Sequence, residues 1–547
     1  MGSNPASRAT SLNSLIESAH PAPKQSDGMI PSNARILLVA GVLLGLIVWR
    51  GLALERAGLS LHFDEAQYWV WSSQLEWGYY SKPPVIALIY RQISHLFGDE
   101  AWIVRSASGV IYALTAGVVG LIARDSFGPR CAIPSALVFA TIPGIAVSGG
   151  FLTTDAPLVL CWSVALWALQ RACSRHGHLG YWCLLGVATG IGLMSKYTMG
   201  AVALSTLGWL FVTPERRAHR YRSGPWCALV IAVLLFSPNL VWNAQNGFPT
   251  LGHTQEISQL DRAGLHPLRL IEFALGQWVV GGPLLIIFGF LCLFGAFGNF
   301  RISAPHTTQA GQSDADALSL HKWFAFPLLL IACVEATLSR AQPNWALPAY
   351  VSLTILLVTA ILRQRGWRTL ASAFALNIAI LAGFVHWPIL RHAIGLQAGA
   401  RGDLFARFHG WSDFAHRLRD KLDPDMLLVN DERSSLALLA YELRLPMNRI
   451  ASWNPEGRRA DHWSRFRDLS TVARAQTDSA TPQRYLIVSA TLDPTELLNS
   501  FEQVVAQADD PGPGCEACAK PWKVWIAQGF RGYHYGRSHT MQPGSSP

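Results

Sequence analysis

Residues 63–84 read FDEAQYWVWSSQLEWGYYSKPP. Two adjacent carboxylates, Asp64 and Glu65, lead into an aromatic cluster and end at a Lys82-Pro83-Pro84 turn. The stretch follows directly on the first long apolar segment, 35–54, which places it at a membrane surface. What lies on that surface with it depends on how the rest of the chain crosses the bilayer.

Composition supports many crossings. Half of the 547 residues are apolar and 14% are charged, against roughly 25% charged in soluble domains. The 21 tryptophans suit helix ends resting among lipid headgroups. Apolar runs of roughly 17–25 residues each mark a span. They fall at 35–54, 101–123, 131–149, 157–172, 179–195, 197–213, 226–242, 273–297, 322–339, 345–362 and 369–391. This predicts a polytopic α-helical membrane protein of about eleven transmembrane helices. Arginines gather in alternate loops, at Arg124 and Arg130, at Arg216 to Arg222, and at Arg363 to Arg368. The positive-inside rule therefore puts the N-terminus in the cytoplasm, and an odd count puts the C-terminus outside. The formal charge of +9 is explained by these topology signals and calls for no nucleic-acid partner.

The polar residues 1–34 read as a disordered cytoplasmic segment, and 35–391 as the membrane domain. Residues 63–97 form two surface helices joined by the Tyr79–Pro84 turn, since Val85 to Phe97 is too short to span and carries Arg91 and Gln92. In 392–547, β-like runs at 426–429, 485–488 and 522–527 alternate with helical patterns at 434–444 and 495–506. That alternation predicts a small C-terminal α/β domain on the periplasmic side. Of nine cysteines, Cys515 and Cys518 form a CxxC in this tail, suited to a short-loop disulfide in an oxidising exterior. The others sit in or beside apolar segments, as small hydrophobes.

This topology carries the unusual polar residues to one face. Asp64, Glu65 and Lys82 lie in the first outer loop, Asp155 at the outer start of the fourth span, and Lys196 between the fifth and sixth. Asn243, His253 and Arg262 fall in the fourth outer loop, and Asn344 near the ends of spans nine and ten. Ionisable groups at membrane depth are costly and mark function. Each has a plainer reading. Asp64 and Asp155 could cap helices, Glu65 could favour a helix dipole, and Lys82 could snorkel. Capping does not account for two carboxylates converging on one face. A lysine held before two prolines has little backbone freedom, which suits phosphate binding.

These motifs resemble the bacterial relatives of the protein O-mannosyltransferases and the lipid A aminoarabinose transferases, which share the GT-C membrane glycosyltransferase fold. The resemblance rests on Phe63-Asp64-Glu65, Gly78-Tyr79-Tyr80-Ser81-Lys82-Pro83-Pro84, Thr154-Asp155-Ala156-Pro157-Leu158, Pro238 to Asn243 followed by His253, and Pro343 to Pro348. It covers about residues 35–390. It implies a multi-pass enzyme of the bacterial inner membrane, moving a monosaccharide from a polyprenyl-phosphate carrier to a lipid A, other glycan or lipid acceptor at the periplasmic face with inversion. Asp64 is then the candidate general base, with Asp155 and Glu65 beside it. Lys82, His253 and Arg262 would receive the donor phosphate, and Tyr79, Tyr80, Asn243 and Asn344 would bind substrate. A divalent metal stays open, with His253 its candidate ligand, because Ser81 replaces the acidic residue that precedes the motif lysine in the aminoarabinose transferases. Ser/Thr glycosylation of proteins is the alternative acceptor chemistry, and a lipid-linked sugar transporter or flippase the alternative class.

Overall fold

The computed structural model describes residues 32–258, 264–294, 314–475, 482–513 and 521–533. The expected disordered segment is outside the described residues up to position 31, as are Cys515 and Cys518. Two compact units result, Met1–Leu44 and Gly45–Pro547. The first consists, as far as it is described, of the leading part of the Ser32–Arg56 helix.

Among the described residues, five helices are long and apolar enough to cross a membrane: Ile36–Arg56, Ala101–Phe127, Ser223–Gln245, Asp314–Leu338 and Trp367–Val385. Shorter helices follow other apolar stretches, at Pro129–Thr141, Asp155–Ala172, Leu179–Leu193, Ala201–Val212 and Ala349–Gln364. The protein is thus a polytopic helical membrane protein. The 273–297 stretch, expected as one span, is instead two helices, Pro267–Gly281 and Pro283–Leu291, bent by 100°. Pro283 supplies no N–H to continue the ladder and disfavours helix in the residue before it. Gly282 takes up the corner at φ +85°, where a Cβ would lie 2.3 Å from Asn377 Oδ1.

Residues 63–97 form two helices, Phe63–Ser72 and Val85–Phe97. The second buries Ile86, Ala87, Tyr90 and Ile93 and leaves Arg91 and Gln92 exposed, as expected of a surface helix. The first opens with a capping box: His62 Nδ1 accepts the Asp64 N–H, and Glu65 Oε2 accepts the His62 N–H at 2.9 Å. The cap is His62, so the Asp64 side chain is not spent on capping.

Glu65 is fully buried, and its two oxygens take donors from three segments. Besides the His62 N–H, Oε2 accepts from Arg105 Nη2 at 3.3 Å, and Oε1 accepts the Leu152 N–H at 2.9 Å. Arg105 itself donates to the carbonyls of Leu59 and Ser60 at 3.1 and 2.6 Å. Expected among the reacting carboxylates, Glu65 is placed instead where it staples the Asp64 loop to the segment entering Asp155.

The tail folds around a five-stranded sheet of order β2-β1-β3-β5-β4, with β1 Leu427–Asn430, β2 Ile450–Ser452, β3 Arg484–Ser489, β4 Phe501–Ala506 and β5 Lys523–Phe530. β1 runs parallel to β2 and β3, with the Arg433–Glu442 helix crossing from β1 to β2, while β5 pairs antiparallel to β3 and β4. The expected helix over 495–506 ends at Ser500. Its second half is β4, an edge strand that buries Phe501 and carries the β-branched Val504 and Val505, residues that suit an extended chain. The Arg433–Glu442 helix docks on the Phe63–Ser72 helix. Tyr441 donates its hydroxyl to the Asp99 carbonyl at 2.7 Å and meets Trp69 edge to face, and the Met447 N–H bonds Ser73 Oγ.

Glu65→Ala would leave Arg105, 1% exposed, without its carboxylate. Breaking a buried pair from one side costs about 3–5 kcal/mol. The expected outcome is a clear drop in the apparent unfolding temperature of the detergent-solubilised protein, and an unchanged midpoint would remove Glu65 from its place as the staple.

Candidate active site

Asp64 sits in the first turn of the Phe63–Ser72 helix, where the positive end of the helix favours a carboxylate. Its Oδ1 accepts from Arg433 Nη2 at 2.6 Å, and Arg433 Nε donates to Gln67 Oε1 at 2.7 Å. Its Oδ2 lies 3.8 Å from His62 Nδ1. Asp64 lines a cavity of about 550 Å³ with His62, Asp155, Asn344, Asp403 and Arg407.

Asp155 starts the Asp155–Ala172 helix and is 5% exposed. Lys196 Nζ donates to its Oδ1 at 2.6 Å, and Asn344 Nδ2 to its Oδ2 at 3.0 Å. Lys196 immediately precedes the Tyr197–Gly200 turn, and Asn344 lies in the Pro343–Ala346 turn, so three distant chain breaks meet at one carboxylate.

A second cavity, of about 580 Å³, is lined by Lys82, Lys196, His253 and Glu335, with Leu204, Leu328 and Ile331 supplying apolar wall. Asp155 faces the first cavity and its partner Lys196 the second. The ion pair is the partition between them.

Lys82 closes the turn by accepting the Tyr79 N–H on its carbonyl at 2.9 Å. Burial, and next the charge of Lys196, push the Lys82 ammonium down to about 8. His253 packs its ring 5.1 Å from that of Tyr80. Burial, followed by the charges of Lys82 and Arg433, lowers it to about 4, so it is a neutral imidazole at pH 7. Among the described residues no three of His, Cys, Asp and Glu gather, and the strongest charge effect on His253 comes from the Lys82 cation. The described groups around His253 do not fit a divalent metal.

The other expected residues are distributed unevenly. Tyr80 is buried against His253, but Tyr79 stacks on Trp71 at 4.4 Å and gives its hydroxyl to backbone carbonyls of Trp71 and Gln74. Asn243 Nδ2 donates to the Tyr197 hydroxyl at 3.1 Å and meets the second cavity only through that tyrosine. Tyr79, Tyr80, Glu65 and Asn243 line neither cavity. Arg262 is outside the described residues. Sequence reasoning missed His62, Asp403, Arg407 and Arg433. Only His62 had a local signal, the H-x-x-E spacing of a capping box. Arg433 stands at the head of a tail helix, and nothing near it in the chain points to Asp64.

A family model described as dolichyl-phosphate-mannose-protein mannosyltransferase matches residues 81–242. The chain is 31% identical over 427 residues to the lipid A galacturonosyltransferase RgtD of Rhizobium johnstonii, covering 76% of this chain and 85% of that protein. It is 24% identical over 339 residues to the undecaprenyl phosphate-alpha-4-amino-4-deoxy-L-arabinose arabinosyl transferase of Edwardsiella ictaluri, covering 59% and 57%. The crystal structure of ArnT from Cupriavidus metallidurans bound to undecaprenyl phosphate matches with a TM-score of 0.59 at 18% identity, over 90% of this chain and 98% of that one, and so shares the fold. The resemblance read from the Asp64-Glu65, KPP and Asp155 motifs holds, and the chain belongs to the GT-C family of membrane glycosyltransferases that take sugars from polyprenyl-phosphate carriers.

Proposed function

We propose that this enzyme transfers a uronic acid of the galacturonic class from a polyprenyl phosphate to lipid A or a closely related envelope lipid, at the periplasmic face of the inner membrane. The observation that carries the reading is the partition. A carboxylate-lined cavity holding Asp64 abuts a lysine-lined, apolar-walled cavity holding Lys82, and the Asp155–Lys196 pair stands between them. The sugar class follows RgtD, which matches over 427 residues and 85% of its own length at 31% identity.

In this reading the acceptor hydroxyl enters the first cavity, and the donor phosphate lies beside Lys82 with its polyprenyl chain along Leu204, Leu328 and Ile331. The hydroxyl oxygen attacks the anomeric carbon while Asp64 takes its proton. The carbon–oxygen bond to phosphate breaks, both electrons staying on the phosphate, and the anomeric centre inverts. Lys82 stabilises the growing negative charge and neutral His253 can donate a hydrogen bond to it. Asp155, fixed by Lys196 and Asn344, orients the reacting sugar where the cavities meet.

The topology proposed for it has eleven crossings, a cytoplasmic N-terminal segment 1–34, a membrane domain 35–391 and a periplasmic α/β domain 392–547. The alternate arginine-rich loops support that orientation. Transfer to Ser or Thr of a protein is the second reading, favoured by the description of the family model at residues 81–242.

The test supplies purified enzyme with polyprenyl-phosphate galacturonic acid and either lipid A or hydroxyl-bearing peptides, followed by mass spectrometry. A gain of one uronic acid on lipid A is expected, and a gain on peptide alone would select the second reading. Asp64→Asn should lower turnover about 10²–10⁴-fold, the usual contribution of a general base, and wild-type turnover in that variant would remove Asp64 from the role.

Lys82 gives a pH prediction. It is cationic below its value of about 8 and loses its charge as pH rises through it. The KM for donor should therefore climb above pH 8, whereas Lys82→Arg, which stays charged, should hold it flat. Lys82→Met should weaken donor binding without lowering thermal stability, because holding that buried charge is a cost to the fold. A KM independent of pH from 7 to 9.5 in the wild type would count against Lys82 as the phosphate cation.

A further inference from the structure

We infer that Arg433, contributed by the C-terminal sheet domain, is a positioning residue for Asp64, so that this domain completes the reaction centre. The inference rests on the reading of Asp64 as general base.

Arg433 lies across the start of the Phe63–Ser72 helix with its guanidinium forked between two side chains one turn apart. Nη2 bonds Asp64 Oδ1 at 2.6 Å and Nε bonds Gln67 Oε1 at 2.7 Å. The Phe63 ring lies 5.5 Å from the guanidinium carbon, within cation–π range. The backbone behind it is held as well, for the indole of fully buried Trp463 donates to the Arg433 carbonyl at 3.3 Å. A planar donor fixed at both ends fixes its acceptor. With Oδ1 engaged, Asp64 keeps one orientation and Oδ2 is left to face the cavity it lines.

Two features argue that this contact serves geometry rather than stability. The pair is partly exposed, 30% at Arg433 and 34% at Asp64, and such pairs add little to a fold. Arg433 is also the first residue of its own helix, where the macrodipole disfavours a cation. The domain docks through other contacts, the Tyr441 hydroxyl on Asp99 and the Met447 N–H on Ser73 among them.

The experiment compares Arg433→Gln, Arg433→Lys, Tyr441→Phe and Asp64→Asn in the purified full-length enzyme, measuring kcat, KM for both substrates and the unfolding temperature. Arg433→Gln should lower kcat about 10- to 100-fold, the scale of a misplaced reacting group, with both KM values and the unfolding temperature near wild type. Arg433→Lys should recover part of kcat. Tyr441→Phe, which disturbs the same docking face without touching Asp64, should leave kcat unchanged. Wild-type kcat in Arg433→Gln, or an equal loss in Tyr441→Phe, overturns the inference while a dead Asp64→Asn keeps the base reading. An active Asp64→Asn instead overturns the base reading and the inference with it.

Discussion

One buried carboxylate sets the geometry on which the rest of this site depends. Glu65 accepts the His62 N–H that opens the Phe63–Ser72 helix, the Leu152 N–H three residues before Asp155, and the guanidinium of Arg105 from the Ala101–Phe127 helix. A carboxylate with no exposure to water is tolerable only when its oxygens are satisfied, so the three segments must arrive together or not at all. Arg105 extends the demand to the carbonyls of Leu59 and Ser60, which fixes the chain leading into the helix. The result is that Asp64 and Asp155, held in distant parts of the sequence, open onto the same cavity.

The C-terminal domain is held to this loop by side chains that complete it. His462 lies fully desolvated among Trp71, Tyr79 and Phe466, and burial, with Arg433 adding to it, brings its imidazole down to about 3. A ring that stays neutral packs among these aromatics without the cost of desolvating a charge. Its Nδ1 is within 3.5 Å of the Tyr80 N–H, on the turn that presents Lys82. The domain therefore supports both ends of the first outer loop, through Arg433 at the carboxylates and through His462 at the turn.

How much of this could be read from residues alone follows the range of the interaction involved. The apolar runs, the KPP turn and the positions of Asp64 and Asp155 are local, and they gave the membrane class and the motifs that carry the family. The break at Gly282 was also local, in a Gly-Gly-Pro run, but the apolar residues on either side masked it. Glu65 was misread because its neighbour Asp64 has the same charge. Only the buried donors from Leu152 and Arg105 tell the two apart, and neither is near in sequence. Tyr79 and Asn243 were placed at the substrate by the motifs that carry the resemblance, whereas their polar atoms are engaged by carbonyls and by Tyr197. Arg433 belongs to a helix whose own pattern reads as an ordinary crossover, and its role exists only in the docked domain.

The two cavities also explain why a lysine and an aspartate are joined at their boundary. Taking a proton from a hydroxyl calls for negative charge, and releasing a phosphate calls for positive charge. Asp155 and Lys196, 2.6 Å apart, form a locally neutral pair where the cavities meet, with Asp64, Asp403 and Arg407 on one side and Lys82, His253 and Glu335 on the other. The pair is not inert on the proposed reading. An ammonium has three donors, and the bond to Asp155 uses one, so Lys196 has donors left for the cavity that would hold the phosphate. As the glycosidic bond breaks and charge gathers on the phosphate, Lys196 can answer it without releasing Asp155, and the orientation of the sugar and the stabilisation of the leaving group are then met by one pair.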